Sequence, residues 1–187
     1  LVGSGKAIVN DLPGVTIDRK YGKGILLDLN FTVIDTAGID ETLTGNTEKE
    51  IKSQTETAVH ESDLIIFVID GRAGVLPSEK TFSRYLIKTN KPIVVLVNKC
   101  EGSKGMLGLT ESNSLGFDTI IPFSAEHGEG LSDFYDILKE KIEDKNNIFM
   151  DSDNNIKVEK KDSTIIRIGI IGRPNTGKST LINNLIG

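Results

Sequence analysis

Apolar residues occur along the chain in short blocks, and this distribution predicts an α/β fold. Six runs rich in Ile and Val are mostly unbroken, as is typical of strands that are buried on both faces. These runs are GILLDLN (24–30), FTVID (31–35), LIIFVID (64–70), PIVVLVN (92–98), TIIPF (119–123) and IIRIGII (165–171). No helical pattern separates the first two runs, so they are predicted to form an antiparallel pair at one edge of the sheet.

Helical patterns separate most of the later runs. Capping residues, a proline at a helix start or apolar residues at helical spacing mark helices over residues 48–61, 77–89, 131–142 and 178–185. Because strands that alternate with helices favour parallel pairing, the predicted architecture is a mostly parallel sheet flanked by helices.

The segment 144–164 interrupts this pattern. It is dense in Asp, Glu, Lys and Asn and has few apolar residues, which is typical of a solvated linker. The alternative, a surface loop within one domain, is disfavoured because structureless loops of this length are uncommon in compact domains. The sequence therefore predicts a first unit over 1–143, a charged linker over 144–164 and a short second unit over 165–187.

Composition and charge limit the class of protein. The 187 residues carry a formal net charge of −5 and a single cysteine, Cys100. An acidic chain is not expected to bind nucleic acid directly, since nucleic-acid binders usually display a basic face. No apolar run approaches the roughly 18 residues of a membrane span, and no secretory signal pattern is present, so a cytoplasmic protein without membrane contact is expected.

One stretch carries the pattern of a phosphate-binding loop. GRPNTGKS (172–179) matches G-x-x-x-x-G-K-[ST], follows a predicted strand and opens a predicted helix. In such a loop the backbone N–H groups surround phosphate oxygens, Lys178 supplies a positive charge and the Ser179 hydroxyl binds Mg²⁺. The predicted phosphate-binding residues are Gly172, Arg173, Pro174, Asn175, Thr176, Gly177, Lys178, Ser179 and Thr180.

A second Mg²⁺ ligand is expected at the end of another strand. Asp35 ends FTVID and opens DTAG (35–38), where an aspartate can hold Mg²⁺ and a glycine can approach the terminal phosphate. Asp70 ends LIIFVID in the same way, but it lacks the following Thr-Ala-Gly and is assigned a structural role.

Two further loops follow buried strands. NKCE (98–101) comes after PIVVLV, and SAEHGEG (124–130) comes after TIIPF. Both loops should lie at the carboxyl ends of strands, where open α/β sheets bind ligands. The Glu101 carboxylate can accept two adjacent N–H groups of guanine, whereas adenine presents no such pair.

Six longer stretches match one family of proteins. They are KAIVNDLPGVTIDRKYG (6–22), DTAGID (35–40), VIDGRAGVLPSEK (68–80), NKPIVVLVNK (90–99), SLGFDTIIPFSAEHGEG (114–130) and IGIIGRPNTGKSTLINNLIG (168–187). In these stretches the chain resembles the translation-factor-related GTPases, and within them the tandem bacterial ribosome-assembly GTPases called Der or EngA. The resemblance implies a Ras-like phosphate-loop GTPase fold, GTP and GDP as ligands, Mg²⁺ as cofactor and K⁺ as a second candidate cation.

The resemblance also implies roles for individual residues. Thr16 would bind Mg²⁺ and sense the γ-phosphate, Asn98 and Glu101 would read guanine, and Asn175 would help to hold K⁺. The implied catalytic residues are Lys178, Thr16 and Gly38, and the implied Mg²⁺ ligands are Ser179, Thr16 and Asp35. The remaining implied nucleotide contacts are Thr36, Ala37, Gly38 and Ile39 after Asp35, Lys99 beside Asn98, and Ser124 and Ala125 behind the base.

At two positions the chain departs from the family pattern. Glu101 stands where the NKxD motif has Asp, so the carboxylate lies one methylene further out. Guanine binding is therefore predicted to be weaker by about 1 kcal/mol. Ile39 follows DTAG where many GTPases have glutamine, so the chemistry would rest on positioning and charge rather than on a water-orienting side chain.

The motifs come in an unusual order, because the phosphate loop comes last. In the resembled family each unit runs from the phosphate loop to the SA motif, and a second unit follows an acidic linker. The chain is thus expected to be one repeat period in circularly permuted order. Residues 165–187 are expected to fold back into the first unit, or to swap into a second chain as a dimer, and to bring Lys178 and Ser179 to Thr16 and Asp35.

Three functions are open at this point. The first is hydrolysis of GTP to GDP and phosphate in assembly of the large ribosomal subunit, which the resemblance implies. The second is a nucleotide-gated interaction module without turnover, and the third is an ATPase. The NKCE loop discriminates GTP from ATP, and phosphate release with Mg²⁺ and K⁺ present discriminates an enzyme from a module.

Overall fold

A computed structural model of the protein describes residues 20–36, 46–151 and 165–186. Its strands are β1 (Lys20–Leu26), β2 (Leu29–Asp35), β3 (Leu64–Asp70), β4 (Ile93–Asn98), β5 (Ile120–Pro122) and β6 (Ile166–Gly172). Its helices are α1 (Asn46–Glu61), α2 (Pro77–Ile87), α3 (Ser103–Ser112), α4 (Leu131–Asp151) and α5 (Lys178–Ile186), and a 3₁₀ turn over Asn113–Leu115 follows α3.

The six strands form one sheet in the order β1-β2-β6-β3-β4-β5. β1 and β2 pair antiparallel and the other neighbours pair parallel, which confirms the predicted mostly parallel sheet with an antiparallel edge pair. β6 comes last in the sequence but lies in the middle of the sheet, where Val33 of β2 and Leu64 of β3 both pair with Ile168. The strand before the glycine-rich loop is therefore flanked by pairing strands of the same chain.

The bounds of the edge hairpin differ from the prediction. The sequence predicts one strand over 24–30, but the chain turns at Leu27 and Asp28, so this run contributes to both β1 and β2. The turn escapes a pattern-based prediction because Leu27, an apolar residue, has φ of 54°. That left-handed conformation is usually taken by glycine or asparagine in hairpin turns.

Two helices also differ from the prediction. α3 is not predicted, since SKGMLGLTES contains two glycines and shows no clear apolar spacing. α4 continues to Asp151 and so includes residues 144–151 of the predicted linker, because this stretch, DKNNIFMD, contains no glycine or proline that would end the helix. In the part of the chain that the structure describes, no helix is both long and apolar enough to cross a membrane.

Apolar side chains cover both faces of the sheet. Alternate residues of β3 point to opposite faces, so Ile66 belongs to one buried cluster and Phe67 to the other. Phe134 of α4 and Leu181 of α5 pack into the cluster of Ile66, while Leu86 of α2 packs into the cluster of Phe67. The unbroken apolar run of β3 is thus explained by helices on both sides.

β6 packs closely against the end of α1. Ser62 Oγ donates a hydrogen bond to the Ala58 carbonyl oxygen over 2.6 Å, and Asp63 N donates to the Arg167 carbonyl oxygen over 2.7 Å. Gly169 of β6 lies against Ser62, and a Cβ atom at this position would collide with Ser62 Oγ. The close approach of α1 to the central strand therefore requires a glycine here.

We expect Gly169→Ala to lower the free energy of unfolding by about 1–3 kcal/mol, the usual cost of overpacking a buried site. The measurement is chemical denaturation of the full chain. In a Ser62→Gly background the same substitution should cost clearly less, because the colliding oxygen is gone. A neutral Gly169→Ala would contradict the position of β6 beneath the end of α1.

Candidate functional site

The parallel strands end at one edge of the sheet, where several of the predicted site residues lie. Asp35, Asp70, Asn98 and Gly172 are the last residues of β2, β3, β4 and β6. In the strand register Asp70 is opposite Asn98, and Gly172 is opposite Val68, two residues before the end of β3. In open α/β sheets this edge is the place where ligands bind.

The glycine-rich loop between β6 and α5 is stabilised by a hydrogen bond within the loop. Thr176 is buried and donates from Oγ1 to the Arg173 carbonyl oxygen over 2.9 Å. Gly177 has φ of 96°, and a Cβ atom there would collide with Asn98 Nδ2. α5 begins at the next residue, Lys178, so the N–H groups of its first turn, which have no partners within the helix, lie at the end of the loop.

Lys178 is buried at the start of α5, with 7% of its surface exposed. Its Nζ donates to the Gly172 carbonyl oxygen over 3.0 Å and to the Arg173 carbonyl oxygen over 2.6 Å. Burial lowers the pKa of Lys178 to about 8, the negative charge of Asp35 opposes this shift, and the positive charge of Arg173 adds to it. Among the described residues its hydrogen-bond partners are carbonyl oxygens, which an anion can replace.

Asn98 joins three segments of the site. Its Nδ2 donates to the Thr176 carbonyl oxygen over 2.7 Å, and its Oδ1 accepts from the Ala125 backbone N–H over 2.8 Å. The side chain is buried, with 4% exposed, so both hydrogen bonds are shielded from water. Asn98 therefore fixes the glycine-rich loop against the loop that follows β5.

Lys99 makes a second link to the glycine-rich loop. Its Nζ donates to the Asn175 carbonyl oxygen over 2.7 Å and to Asp70 Oδ2 over 2.5 Å. Both Lys99 and Asn175 have a left-handed backbone, with φ of 63° and 61°, and such conformations in non-glycine residues cluster at functional sites. Asp70, for which the sequence indicates only a structural role, is thus part of the support of this site.

Glu101 has two carboxylate oxygens in different surroundings. Oε1 accepts from Arg72 Nη2 over 2.5 Å, while Oε2 is buried and has no hydrogen-bond partner among the residues that the structure describes. The Glu101 backbone N–H and the Ser124 hydroxyl lie near the carboxylate without hydrogen-bond geometry, and together with the Arg72 charge they lower the pKa of Glu101 against the effect of burial. The carboxylate is therefore ionised at neutral pH and retains one oxygen that can accept N–H groups.

The loop after β5 closes the site from the side of α5. Ser124 and Ala125 are both buried. The Ser124 hydroxyl accepts from the His127 backbone N–H over 3.3 Å, and the Ala125 carbonyl oxygen accepts from Asn184 Nδ2 of α5 over 2.6 Å. Ala125 is thus hydrogen-bonded both to Asn98 and to α5.

Asp35 and Thr36 lie beside the central strand. Asp35 is opposite Ile170 in the register of β2 and β6, and Thr36 Oγ1 donates to the Ile170 carbonyl oxygen over 3.0 Å. Pro174, Asn175, Ser179 and Thr180 are exposed. The predicted contacts Thr16, Ala37, Gly38 and Ile39 lie outside the described residues.

The structure adds one residue of α2 to the site that the sequence does not indicate. Glu79 of α2 is buried, with 2% exposed, and its Oε1 accepts from Arg173 Nε over 2.8 Å while its Oε2 accepts from the Leu76 backbone N–H over 2.9 Å. Glu79 therefore joins the start of α2 to the glycine-rich loop. Its position at the third residue of a helix that begins with proline is the available signal, and it indicates a helix cap rather than a loop contact.

A glycine-rich loop between a central parallel strand and a helix that opens with a buried lysine defines the phosphate-loop nucleotide-binding proteins. Comparison with known families agrees. A family model described as 50S ribosome-binding GTPase matches residues 1–99 and 167–187. The chain belongs to this family.

Curated relatives named GTPase Der match along the whole chain. The protein of Rhodopseudomonas palustris (strain TIE-1) is 45% identical over 191 residues, and that of Nitrobacter hamburgensis is 47% identical over 191 residues. Each match covers 100% of this chain and 41% of the relative. The chain thus spans less than half the length of the curated relatives it matches.

Solved structures of Era share the fold. Era in complex with MgGDPNP and a segment of 16S ribosomal RNA has a TM-score of 0.57 at 24% identity, over 72% of this chain and 48% of that chain. A variant of Aquifex aeolicus Era bound to GDP and aluminium fluoride has a TM-score of 0.55 at 20% identity, over 86% of this chain and 53% of that chain. These likenesses place the chain among the phosphate-loop GTPase folds.

We expect Glu79→Gln to lower the free energy of unfolding by about 1–3 kcal/mol, because the partly buried Arg173 guanidinium loses the buried carboxylate that balances its charge. Glutamine can still accept from the Leu76 N–H, so the helix cap is kept. The matched control is Glu111→Gln, which retains an acceptor for the Val75 N–H that Glu111 Oε2 binds over 2.9 Å and is expected to cost less than about 0.5 kcal/mol. Equal effects in denaturation of the two variants would contradict a special role for the Glu79–Arg173 pair.

We expect the alkylation of Cys100 to require higher pH in the folded chain than in the unfolded chain. Burial of the thiol raises its pKa, the hydrogen bond from Phe123 opposes the shift, and the charge of Glu101 adds to it. Since the thiolate is the reactive form, the midpoint of the rate against pH should move upward on folding. The measurement is iodoacetamide labelling across pH 7–11 with and without denaturant, and a midpoint that moved downward would contradict the prediction.

Proposed function

We propose that this chain binds GTP and GDP at the carboxyl edge of the sheet and contributes to hydrolysis of GTP to GDP and phosphate. The observation that carries the proposal is the buried Asn98 side chain, which hydrogen-bonds both the phosphate-loop residue Thr176 and the Ala125 backbone. A phosphate site and a base site are thereby held at a fixed separation. Membership of the GTPase family supports the same proposal.

The base site favours guanine. Glu101 Oε2 is a buried, unpartnered acceptor, and guanine offers two adjacent N–H donors to such a group. Adenine would leave this oxygen unsatisfied, which costs free energy in a buried position. The same argument disfavours an ATPase, because the adenine base of ATP presents no pair of adjacent N–H groups to the ionised carboxylate.

The phosphate site relies on Lys178 and on backbone N–H groups. On binding, phosphate oxygens would replace the Gly172 and Arg173 carbonyl oxygens as acceptors of Lys178 Nζ. The backbone N–H groups at the start of α5 would donate to the same anion. In this proposal Lys178 stabilises the negative charge that develops on the transferred phosphoryl group.

The residues around the phosphate loop fit Mg²⁺, since a carboxylate and a hydroxyl are hard oxygen donors. Asp35 is close enough for its charge to act on Lys178, and Ser179 follows Lys178 directly on α5. We propose that Asp35, Ser179 and Thr16 hold Mg²⁺, which when bound would neutralise phosphate oxygens. Asn175 is the proposed ligand of K⁺. Gly38 is proposed to approach the terminal phosphate.

The partner of the intact protein is proposed to be the large ribosomal subunit. The family description names 50S ribosome binding, and the curated relatives that match the whole chain are named GTPase Der. A cytoplasmic location follows from that role. Direct binding of nucleic acid by this acidic stretch is not proposed, given its net charge of −5.

The position of β6 supports a nucleotide site that is completed within one chain. The predicted division of the chain is retained as a proposal, with the linker shortened by the part of α4 that runs to Asp151 and with 165–187 supplying the phosphate loop to the preceding unit. In this view the motifs of one GTPase unit are present in circularly permuted order. A dimer that exchanges residues 165–187 would make the same contacts between two chains, and the molar mass in solution distinguishes the two.

We expect the full chain to bind GDP with one nucleotide per chain and to release phosphate from GTP with Mg²⁺ and K⁺ present. Lys178→Ala should weaken GDP binding by about 10- to 100-fold, since a charge-assisted contact in a buried site is lost. The matched control, Lys88→Ala, removes an exposed lysine at the end of α2 and should change neither property. Isothermal titration calorimetry and a phosphate-release assay measure them.

Three results would revise the proposal in different ways. GDP binding without phosphate release would indicate the alternative function, a nucleotide-gated interaction module without turnover. Competition by ADP as effective as that by GDP would contradict guanine recognition by Glu101. No binding of GDP by the unsubstituted chain would contradict the proposed function as a whole.

A further inference from the structure

The turn after β3, residues 70–73, supports the NKCE loop through two ion pairs; we call it the support turn. Lys99 Nζ donates to Asp70 Oδ2 and Arg72 Nη2 donates to Glu101 Oε1, each over 2.5 Å. The residues of each pair are 29 positions apart in the sequence. Both pairs follow from the register of β3 and β4, in which Asp70 lies opposite Asn98.

The backbone of the support turn is itself fixed. Asp70 Oδ1 accepts from the Arg72 N–H over 3.0 Å and from the Ala73 N–H over 3.3 Å. The Gly71 N–H donates to the Asn98 carbonyl oxygen over 2.7 Å. Arg72 therefore extends its side chain toward Glu101 from a backbone that is hydrogen-bonded on both sides.

The Glu101 side chain needs such support more than an aspartate would. It has one more rotatable bond than aspartate, so an unrestrained carboxylate would occupy several rotamers. The contact with Arg72 occupies Oε1 and leaves Oε2 buried and unpartnered. One oxygen thus serves to hold the carboxylate in place, and the other is left to accept hydrogen bonds from a ligand.

We propose that Arg72 is a positioning residue for guanine recognition, which holds the longer Glu101 side chain so that its carboxylate can accept the N–H groups of the base. This inference rests on the proposed function, because it assumes that the ligand is a guanine nucleotide. It adds a residue outside the NKCE loop to the determinants of base specificity. It also explains how a glutamate at this position can recognise guanine.

The effect of Arg72 should fall on binding rather than on folding. The Arg72 side chain is 54% exposed, and exposed ion pairs contribute little to stability because water screens them. For binding, however, a carboxylate that is already ordered loses less conformational entropy when the base arrives. Removal of the Arg72 side chain is therefore expected to weaken the binding of guanine nucleotides without a matching loss of thermal stability.

The test is a double-mutant cycle on the full chain, with GDP affinity measured by isothermal titration calorimetry. Arg72→Met should weaken GDP binding by about 2- to 10-fold, the range for one long side chain that must be ordered on binding. In a Glu101→Asp background the same change should have less than about a twofold effect. The aspartate carboxylate would lie roughly 1.5 Å closer to the backbone, so its contact with Arg72 should be weaker, and with one rotatable bond fewer it needs less ordering.

Inosine diphosphate provides the readout that a general structural defect would not change. Its base keeps the ring N–H but lacks the amino group of guanine, so it gains less from an ordered carboxylate. Arg72→Met should therefore reduce the ratio of GDP affinity to inosine diphosphate affinity. Arg84→Met is the matched control, because it removes the same charge from an exposed residue of α2, and it should leave this ratio unchanged.

Each remaining outcome contradicts the inference. An Arg72→Met effect of equal size in both backgrounds would assign Arg72 a role independent of Glu101. Equal losses for GDP and inosine diphosphate would indicate a general defect of the site. Unchanged GDP binding in Arg72→Met would overturn the inference while the proposed function stands, whereas no GDP binding by the unsubstituted chain would overturn both.

Discussion

The insertion of β6 between β2 and β3 is the constraint on which the rest of the structure depends. Ile168 and Ile170 of this strand are at most 1% exposed, and burial of each such side chain contributes about 1.5–3 kcal/mol relative to exposure. Without β6 the facing edges of β2 and β3 would leave backbone N–H and C=O groups unpaired in the middle of the sheet. Since β6 continues directly into the phosphate loop, the packing that completes the core also places the loop.

This arrangement couples distant parts of the chain. The hydrogen bond from Thr36 Oγ1 to the Ile170 carbonyl oxygen joins residues 134 positions apart, and the one from Asn98 Nδ2 to the Thr176 carbonyl oxygen joins residues 78 positions apart. Contacts of such separation form late in folding, because the entropy of loop closure must be overcome first. Once β6 has docked, however, the phosphate loop is anchored at one end by the central strand and at the other by α5. The packing of the core therefore decides where the phosphate loop lies, whereas the Lys178 ammonium must still exchange its carbonyl partners for an anion when a ligand binds.

The sequence predicts the strands and the site loops because their signals are local. Unbroken apolar runs mark strands that are buried on both faces, and the residues of the phosphate loop and of NKCE are adjacent in the sequence. Nothing local in IIRIGII says which strands it pairs with; that expectation comes from the family resemblance. Asp70 and Glu79 are not predicted as parts of the site, because their partners Lys99 and Arg173 are 29 and 94 residues away. Contacts between residues that are far apart in the sequence therefore cannot be predicted from local sequence patterns.

The charges around the site cancel locally, which limits how a nucleotide can be attracted. Three ion pairs lie in the described part of the site, Lys99–Asp70, Arg72–Glu101 and Arg173–Glu79. In each pair a cation near the phosphate loop or the base loop is neutralised, and the chain as a whole is acidic. Long-range steering of an anion is therefore weak. Affinity for phosphate must come from short-range contacts, namely the backbone N–H groups at the start of α5 and the Lys178 ammonium, which act only once the anion has displaced water and the loop carbonyls.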